Sequence, residues 1–175
     1  MDKQKKIVIT IIIFLVTLVM ILSIMNLGDV EHKKLLEEKS IFEINTDNET
    51  YSIDMEYLIS LNPVDIVANL DTSLSNSQKL NMQAIELIDI INSFNISLNN
   101  IEMIHIKSLD GYNSIVSIDE LLQDNNVYIC IALDNEPLKT KSKGGMGPYL
   151  MIIQSSTFSQ RWVKYIQEIN IYESN

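Results

Sequence analysis

Three lysines and three glycines lie within nine positions of the segment KTKSKGGMG, residues 139–147. The whole chain has only five glycines, so this is a marked local concentration. Backbone N–H groups of a glycine-rich loop can bind a phosphate group, and lysine ammonium groups can neutralise its charge. The sequence therefore offers one candidate cofactor- or anion-binding loop, made of Lys139, Lys141, Lys143, Gly144, Gly145 and Gly147.

A tight corner is the competing interpretation of this loop. Neither G-x-G-x-x-G nor G-x-x-x-x-G-K is present. The run PYLMIIQ that follows predicts a strand, whereas phosphate loops commonly lead into a helix N-terminus. The pattern therefore favours a bend that needs the conformational freedom of glycine. The three lysines keep the anion-binding interpretation open.

Other reactive side chains are few. Cys130 is the only cysteine, which excludes an internal disulfide or a CxxC pair, and the apolar run NVYICIAL around it predicts a buried thiol. His32 and His105 are far apart in sequence, so no metal site is predicted. No G-x-S-x-G motif occurs. Neighbouring carboxylates such as Asp119 and Glu120 are expected on solvated faces, and no catalytic residue is predicted with any specificity.

The first 28 residues predict a membrane anchor. No charged residue occurs from Ile7 through Gly28, and about 20 apolar residues suffice to cross the hydrocarbon core. The span is predicted at about residues 7–27. A cleaved signal peptide is the alternative, but this run is longer than a signal core and ends at a poor cleavage site. Lysines before the span predict a single-pass protein of the cell membrane with a cytoplasmic N-terminus and an extracytoplasmic remainder.

After the anchor, the sequence predicts a charged stalk at residues 29–39 and one globular domain at residues 40–175. The chain carries a net charge of −10; residues 1–28 contribute +2, so the remainder carries −12. Nucleic-acid binding depends on lysine and arginine at phosphates, so nucleic acid is not an expected partner. The expected partners are the membrane, through the N-terminal helix, and a protein or small molecule of unknown identity.

Short strands alternate with short helices in the domain, which predicts a strand-rich α+β fold. The stretch 52–61 begins with a Ser/Asp cap signal and predicts a helix from Met55 onward. A polar loop is predicted at 73–78, and the strongest helix at 80–94, where Met82, Ile85 and Ile88 follow helical spacing. The helices are too short and too few for a doubly wound parallel sheet. Strands are predicted at 40–45, 50–53, 64–70, 101–108, 114–117, 126–133, 148–154 and 163–172.

Four short motifs follow one another in the second half of the chain: Asp110-Gly111-Tyr112, Asp134-Asn135-Glu136-Pro137-Leu138, the glycines that end at Pro148, and Arg161-Trp162-Val163. In order and spacing, over about 65 residues, this set resembles the molybdopterin-binding domain of the sulfite oxidase family. The first half resembles the same family more loosely. The resemblance implies a compact, strand-rich mixed α/β domain of sulfite-oxidase type.

The sequence departs from the family at the positions that carry its chemistry. The resemblance places Thr72 where the family has the cysteine thiolate that binds molybdenum, and a neutral hydroxyl is a poor substitute for a soft thiolate. Leu150 falls where the family has an arginine after its glycines, and Lys143 is nearest to the position of a family histidine. Cys130 cannot take over the ligand role because it lies on another strand of the pattern.

We therefore expect a membrane-anchored, extracytoplasmic binding or accessory module that has lost catalysis and holds no cofactor. The alternative is an oxidoreductase or cofactor-binding subunit that uses molybdopterin. In that case the three lysines and the glycine loop would contact the cofactor, and a non-cysteine ligand or a partner protein would complete the site. A third interpretation is a scaffold protein of a membrane complex.

Overall fold

The computed structural model of the chain describes residues 3–72 and 75–173. The chain divides into two compact units, Met1–Leu35 and Leu36–Asn175. Helix α1, Lys3–Lys39, begins in the first unit and provides the first residues of the second. Its last turn belongs to the second unit, where Leu36 is buried and its carbonyl accepts the N–H of Ile41.

One stretch of α1, Lys3–Ile24, is long and apolar enough to cross a membrane, and its side chains are exposed throughout. A signal sequence near an N-terminus has the same length and composition, so the uncleaved anchor stays a prediction. Two threonines within this stretch satisfy their hydroxyl groups locally, Thr10 on the carbonyl of Lys6 and Thr17 on the carbonyl of Ile13. Such back-bonding removes the cost of a hydroxyl in an apolar setting.

The second unit alternates short strands and short helices. Its helices are α2 (Met55–Ser60), α3 (Leu87–Ser93) and α4 (Ile118–Leu122). Its strands are β1 (Phe42–Asn45), β2 (Thr50–Ile53), β3 (Val64–Thr72), β4 (Ser75–Glu86), β5 (Met103–Ser108), β6 (Asn113–Ser117), β7 (Val127–Leu133), β8 (Glu136–Pro137), β9 (Leu150–Ile153), β10 (Val163–Lys164) and β11 (Ile166–Ile171).

The strands form two sheets. The first sheet has the order β2-β1-β11-β5-β6, and the second has the order β10-β9-β7-β4-β3, with β8 also paired to β7. Every pair is antiparallel except β1 with β11. The prediction of a strand-rich α+β fold with one long apolar N-terminal helix is confirmed, and a doubly wound parallel sheet is absent from the described residues.

The second sheet separates two hydrophobic cores, because alternate residues of its strands face opposite sides. On β7, Ile129 faces the main core that the two sheets share with the helices, and Cys130 faces a smaller second core. On β9, Met151 and Leu150 divide in the same way. Cys130 is fully buried, as predicted, and burial raises the pKa of its thiol. An uncharged, enclosed thiol is unreactive.

The helix predicted at 80–94 is wrong over its first half. Strand β4 occupies Ser75–Glu86, and the helix begins only at Leu87. The predicted loop at 73–78 is wrong for Ser75–Gln78, which belong to β4, while residues 73 and 74 lie outside the described residues. The physical reason is pairing on both sides: β4 bonds to β3 and to β7, and its alternate residues Leu80, Met82 and Ala84 fill the second core.

Side-chain caps position the short helices α2 and α4. Asp54 accepts the N–H of Tyr57 at 2.8 Å, so α2 starts at Met55, directly after the predicted Ser/Asp cap. Ser117 and Glu120 form a reciprocal capping box at the start of α4. Each helix is too short to be stable alone, so these caps and the burial of Leu58 and Leu121 define where it sits.

Candidate functional site

The glycine loop, residues 139–147, is closed on itself. A 3-10 turn at Lys141–Lys143 ends at Gly144, whose φ of +71° is the left-handed conformation that glycine favours. Thr140 then forms a bridge with Gly147. The N–H groups of the three glycines donate to carbonyls of the loop itself, Gly144 to Lys141 at 2.9 Å, Gly145 to Thr140 at 3.0 Å and Gly147 to Lys139 at 2.8 Å. An anion could use them only after these bonds were broken.

Close packing of the backbone explains the other two glycines. A Cβ atom at Gly145 would lie 2.0 Å from the carbonyl oxygen of Lys139, and one at Gly147 would lie 2.5 Å from the Cβ of Leu138. Both contacts are far inside van der Waals distance. The glycine pattern is therefore accounted for by a tight corner, without an anion.

The three lysines have different surroundings. Lys139 lines a cleft beside the loop, and Lys143 is exposed. The ammonium of Lys141 lies 5.5 Å from the centre of the Tyr165 ring, in cation–π range. Burial alone would raise the pKa of Asp110, yet that pKa is lowered, by hydrogen bonds with Ser108 and Tyr112 and by the nearby charge of Lys141. The assignment of the lysines and glycines to a cofactor stays a prediction.

Tyr165 connects two of the sequence motifs at this place. Its hydroxyl donates to the carbonyl of Gly145 at 2.7 Å and its N–H to that of Met146 at 3.3 Å. Its own carbonyl accepts the N–H of Leu109 at 2.9 Å, beside the Asp110-Gly111-Tyr112 turn. Its φ of +56° is costly for an aromatic residue, and these three hydrogen bonds hold it there.

A cleft of about 480 Å³ lies between the β7–β8 turn and the glycine loop. Its walls include Leu138 and Met146, which are apolar, together with two acidic residues, Asp134 and Glu136, and the basic residue Lys139. Two carboxylates against one ammonium disfavour a phosphate-bearing ligand. Among the sequence-predicted residues, Lys139, Gly144 and Gly145 line this cleft, while Lys141, Lys143 and Gly147 are not part of its walls.

Arg161 forms an ion pair with Glu120. Its guanidinium donates to both carboxylate oxygens of Glu120, at 2.5 and 2.9 Å, and to the carbonyl of Ile115. The Arg161 hydrogen bonds lower the pKa of Glu120 to about 2, and the Ser117 cap adds to the effect. The solvated-face prediction is wrong for Glu120, whose side chain is 25 % exposed and paired. A single sequence could not reveal this pair, because its members are 41 positions apart.

Thr72, at the family's cysteine position, ends β3 and pairs with Ser75 across the hairpin. The N–H of Asp71, next to it, is held by the hydroxyl of Ser159 at 2.8 Å. Leu150, at the family's arginine position, is fully buried in the second core. An arginine there would carry a charge into an apolar cluster, so this position does not face an anion site.

The described residues do not fit a molybdopterin cofactor. They contain no group of three or more His, Cys, Asp or Glu side chains arranged to hold a metal ion. The thiol of Cys130 is enclosed, and the loop N–H groups are already used. A molybdenum centre needs a soft ligand, and an anionic cofactor needs free donors. In the part of the chain that the structure describes, the thiol is enclosed and the three glycine N–H groups are bonded within the loop, so the lysine ammonium groups are the donors left to an anion there.

The fold is shared with a solved structure. The sulfane dehydrogenase SoxCD from Paracoccus pantotrophus matches with a TM-score of 0.62 and 12 % sequence identity, over 77 % of this chain and 38 % of that protein. At that identity the similarity shows a common fold alone, and this chain spans well under half of the length of that protein. No protein-family model and no curated protein matches the sequence.

Proposed function

We propose that the chain is a membrane-anchored binding module of sulfite-oxidase-type fold that has lost catalysis and holds no molybdenum cofactor. The ordered motifs and the fold shared with a sulfane dehydrogenase support the fold type. One observation supports the loss of the cofactor: the resemblance places Thr72 at the position of the metal-binding cysteine, and Thr72 is a strand residue that pairs with Ser75. In this proposal the chain retains the framework of the fold but lacks the residue that would bind the metal.

The glycine loop argues against the alternative of a cofactor-dependent oxidoreductase. That alternative needs the loop N–H groups and the three lysines to act together on an anion. The N–H groups are bonded within the loop, and Lys141 lies over Tyr165. The neighbouring cleft adds the carboxylates of Asp134 and Glu136. A non-catalytic module needs none of these groups for chemistry and is the simpler account of all three observations.

Restoring the thiol is expected not to restore the cofactor. The Thr72→Cys chain, produced in a host that makes molybdopterin, should carry as little molybdenum as the unchanged chain, because the glycine N–H groups that would hold an anionic cofactor are bonded within the loop. Metal analysis by plasma mass spectrometry measures this. Thr72→Ser is the matched control for a small change at the same position. One molybdenum per chain in Thr72→Cys would show that the pocket is intact and would contradict the proposal.

The proposal also places the second unit outside the cytoplasm, because lysines precede the apolar stretch. The single buried cysteine makes this testable, since Cys130 should give little background labelling. In intact cells, a membrane-impermeant maleimide is expected to label Glu56→Cys, on the exposed surface of α2, and to leave Gln4→Cys unlabelled. After permeabilisation both should react. Labelling of Gln4→Cys alone in intact cells would reverse the topology.

A further inference from the structure

Strand β3 is an edge of the second sheet, and only half of that edge is covered. In an antiparallel sheet the N–H and C=O of one residue point to the same side of the strand. On the outer side of β3, the carbonyl of Val67 accepts from the Gln154 amide at 3.2 Å. Farther along, the Ser159 hydroxyl contacts the carbonyl of Asn69 at 3.4 Å and the N–H of Asp71 at 2.8 Å. These contacts cover the edge from Val67 onward.

The other half of the edge, Val64–Val67, is open. By the same alternation, the N–H and C=O of Asp65 and the N–H of Val67 point outward, and no described group bonds to them there. Proteins commonly protect such an edge with an inserted proline, a lysine or a bulge. Pro63 directly precedes the open half, whose one charged residue is Asp65; it contains no lysine and no bulge, and the exposed fractions of Val64 and Val67 are 50 % and 54 %.

A cleft of about 340 Å³, lined by polar and apolar residues, lies beside the same segment. Its walls include the side chains of Asp65, Asn81, Gln83, Asp134 and Asn135. No lysine or arginine lines it, so the two carboxylates give it negative character. Asp134 is held in place by its N–H, which donates to the carbonyl of Asn81 at 2.9 Å, and by its carboxylate, which accepts from the Asn81 amide at 3.2 Å.

We propose that the open edge, Val64–Val67, binds an extended segment of a partner protein as an added strand, and that Asp65 and Asp134 select a segment with lysine or arginine at alternate positions. Added strands gain affinity from backbone hydrogen bonds and specificity from pockets for alternate side chains. The open edge supplies the backbone hydrogen bonds, and the acidic cleft supplies the pocket for alternate side chains. This inference rests on the proposed function, because it names the partner class of the binding module.

The probe is a fluorescent ten-residue peptide of alternating lysine and valine, titrated by anisotropy into the full chain in neutral detergent micelles. We expect saturable binding, and none for two control peptides: one with glutamate in place of lysine, and one with methylated backbone nitrogens at every second residue. The methylated peptide keeps its charge but cannot pair with a strand. Equal binding of the methylated peptide, or no binding of the lysine peptide, would overturn the proposal.

Two variants locate the site. Asp65→Lys should weaken binding at least tenfold, and Val67→Pro should abolish it, because proline removes an outward N–H while leaving the β3–β4 pairing intact. Asp124→Lys, the same charge change at an exposed loop residue, should leave binding unchanged. If Asp65→Lys and Asp124→Lys weaken binding equally, the peptide is held by non-specific charge attraction, and the proposed site is wrong. The molybdenum content of the chain is independent of all these outcomes, so failure here leaves the proposed function standing.

Discussion

Replacing Gly145 by alanine is expected to lower the free energy of unfolding of the second unit by about 3 kcal/mol or more, the range of severe overpacking. The added Cβ would lie 2.0 Å from the carbonyl oxygen of Lys139, which is a backbone atom and cannot rotate away. Relieving the clash would separate Gly145 from Thr140 and from the Tyr165 hydroxyl, both of which it bonds. The loop would then lose its contact with the Asp110-Gly111-Tyr112 turn.

Urea unfolding followed by tryptophan fluorescence measures this effect directly. Trp162 is the only tryptophan, and it is 8 % exposed in the second core, so its emission reports unfolding of that core. Gly144→Ala is the matched control: nothing lies within 4 Å of its Cβ position, and only its φ of +71° is unfavourable. A cost of about 1 kcal/mol is expected for that control. Similar costs for the two substitutions would mean that the loop is not packed as described.

Glu120→Gln is expected to lower the free energy of unfolding at neutral pH by about 1–2 kcal/mol, since it breaks a two-oxygen ion pair. The value stays below that of a fully buried pair because the Arg161 side chain is 39 % exposed and solvent screens it. The loss has two further parts: the N–H of Ser117 loses a charged acceptor, and Arg161 keeps its charge without a carboxylate. Glu168→Gln, which breaks the more exposed pair with Lys107, should cost less than about 0.5 kcal/mol.

The same pair predicts an acid dependence with a definite sign. The pKa of Glu120 is lowered from 4.5 to about 2 by folding, so the folded state favours the carboxylate. The stabilisation is complete above the unfolded pKa and is lost as the pH falls from about 5 to about 2. Urea midpoints of the unchanged chain should therefore fall over this range, and those of Glu120→Gln should fall less. Parallel curves for the two proteins would contradict the pairing.

Local sequence patterns correctly predicted the strands whose conformation is determined by their own residues. The runs VDIVANL, NVYICIAL and PYLMIIQ carry β-branched or alternating apolar residues, and each forms a strand. The helix prediction was wrong for residues 80–86 because their apolar positions are compatible with both helical and strand spacing. Pairing with β3 and β7 decided between the two, and such partners are distant in sequence.

The candidate site likewise contains features that the sequence predicts and features that depend on the assembled fold. The corner formed by Gly144, Gly145 and Gly147 was predictable, because a run of glycines before a strand is typical of a tight bend. The use of the loop N–H groups was not, since it depends on how the loop closes. The pairing of Arg161 with Glu120 and the contact of Lys141 with Tyr165 both join residues from separate motifs. Only the assembled fold brings them together.

The molybdenum and molybdopterin content of the unchanged chain tests the central claim most directly. The chain should be purified in neutral detergent from a host that makes the cofactor, with metal measured by plasma mass spectrometry and pterin by fluorescence after oxidation. Both are expected to be close to zero per chain, because Thr72 supplies no thiolate and the three glycine N–H groups are bonded within the loop. One molybdenum and one pterin per folded chain would contradict it and would favour an oxidoreductase with a non-cysteine ligand.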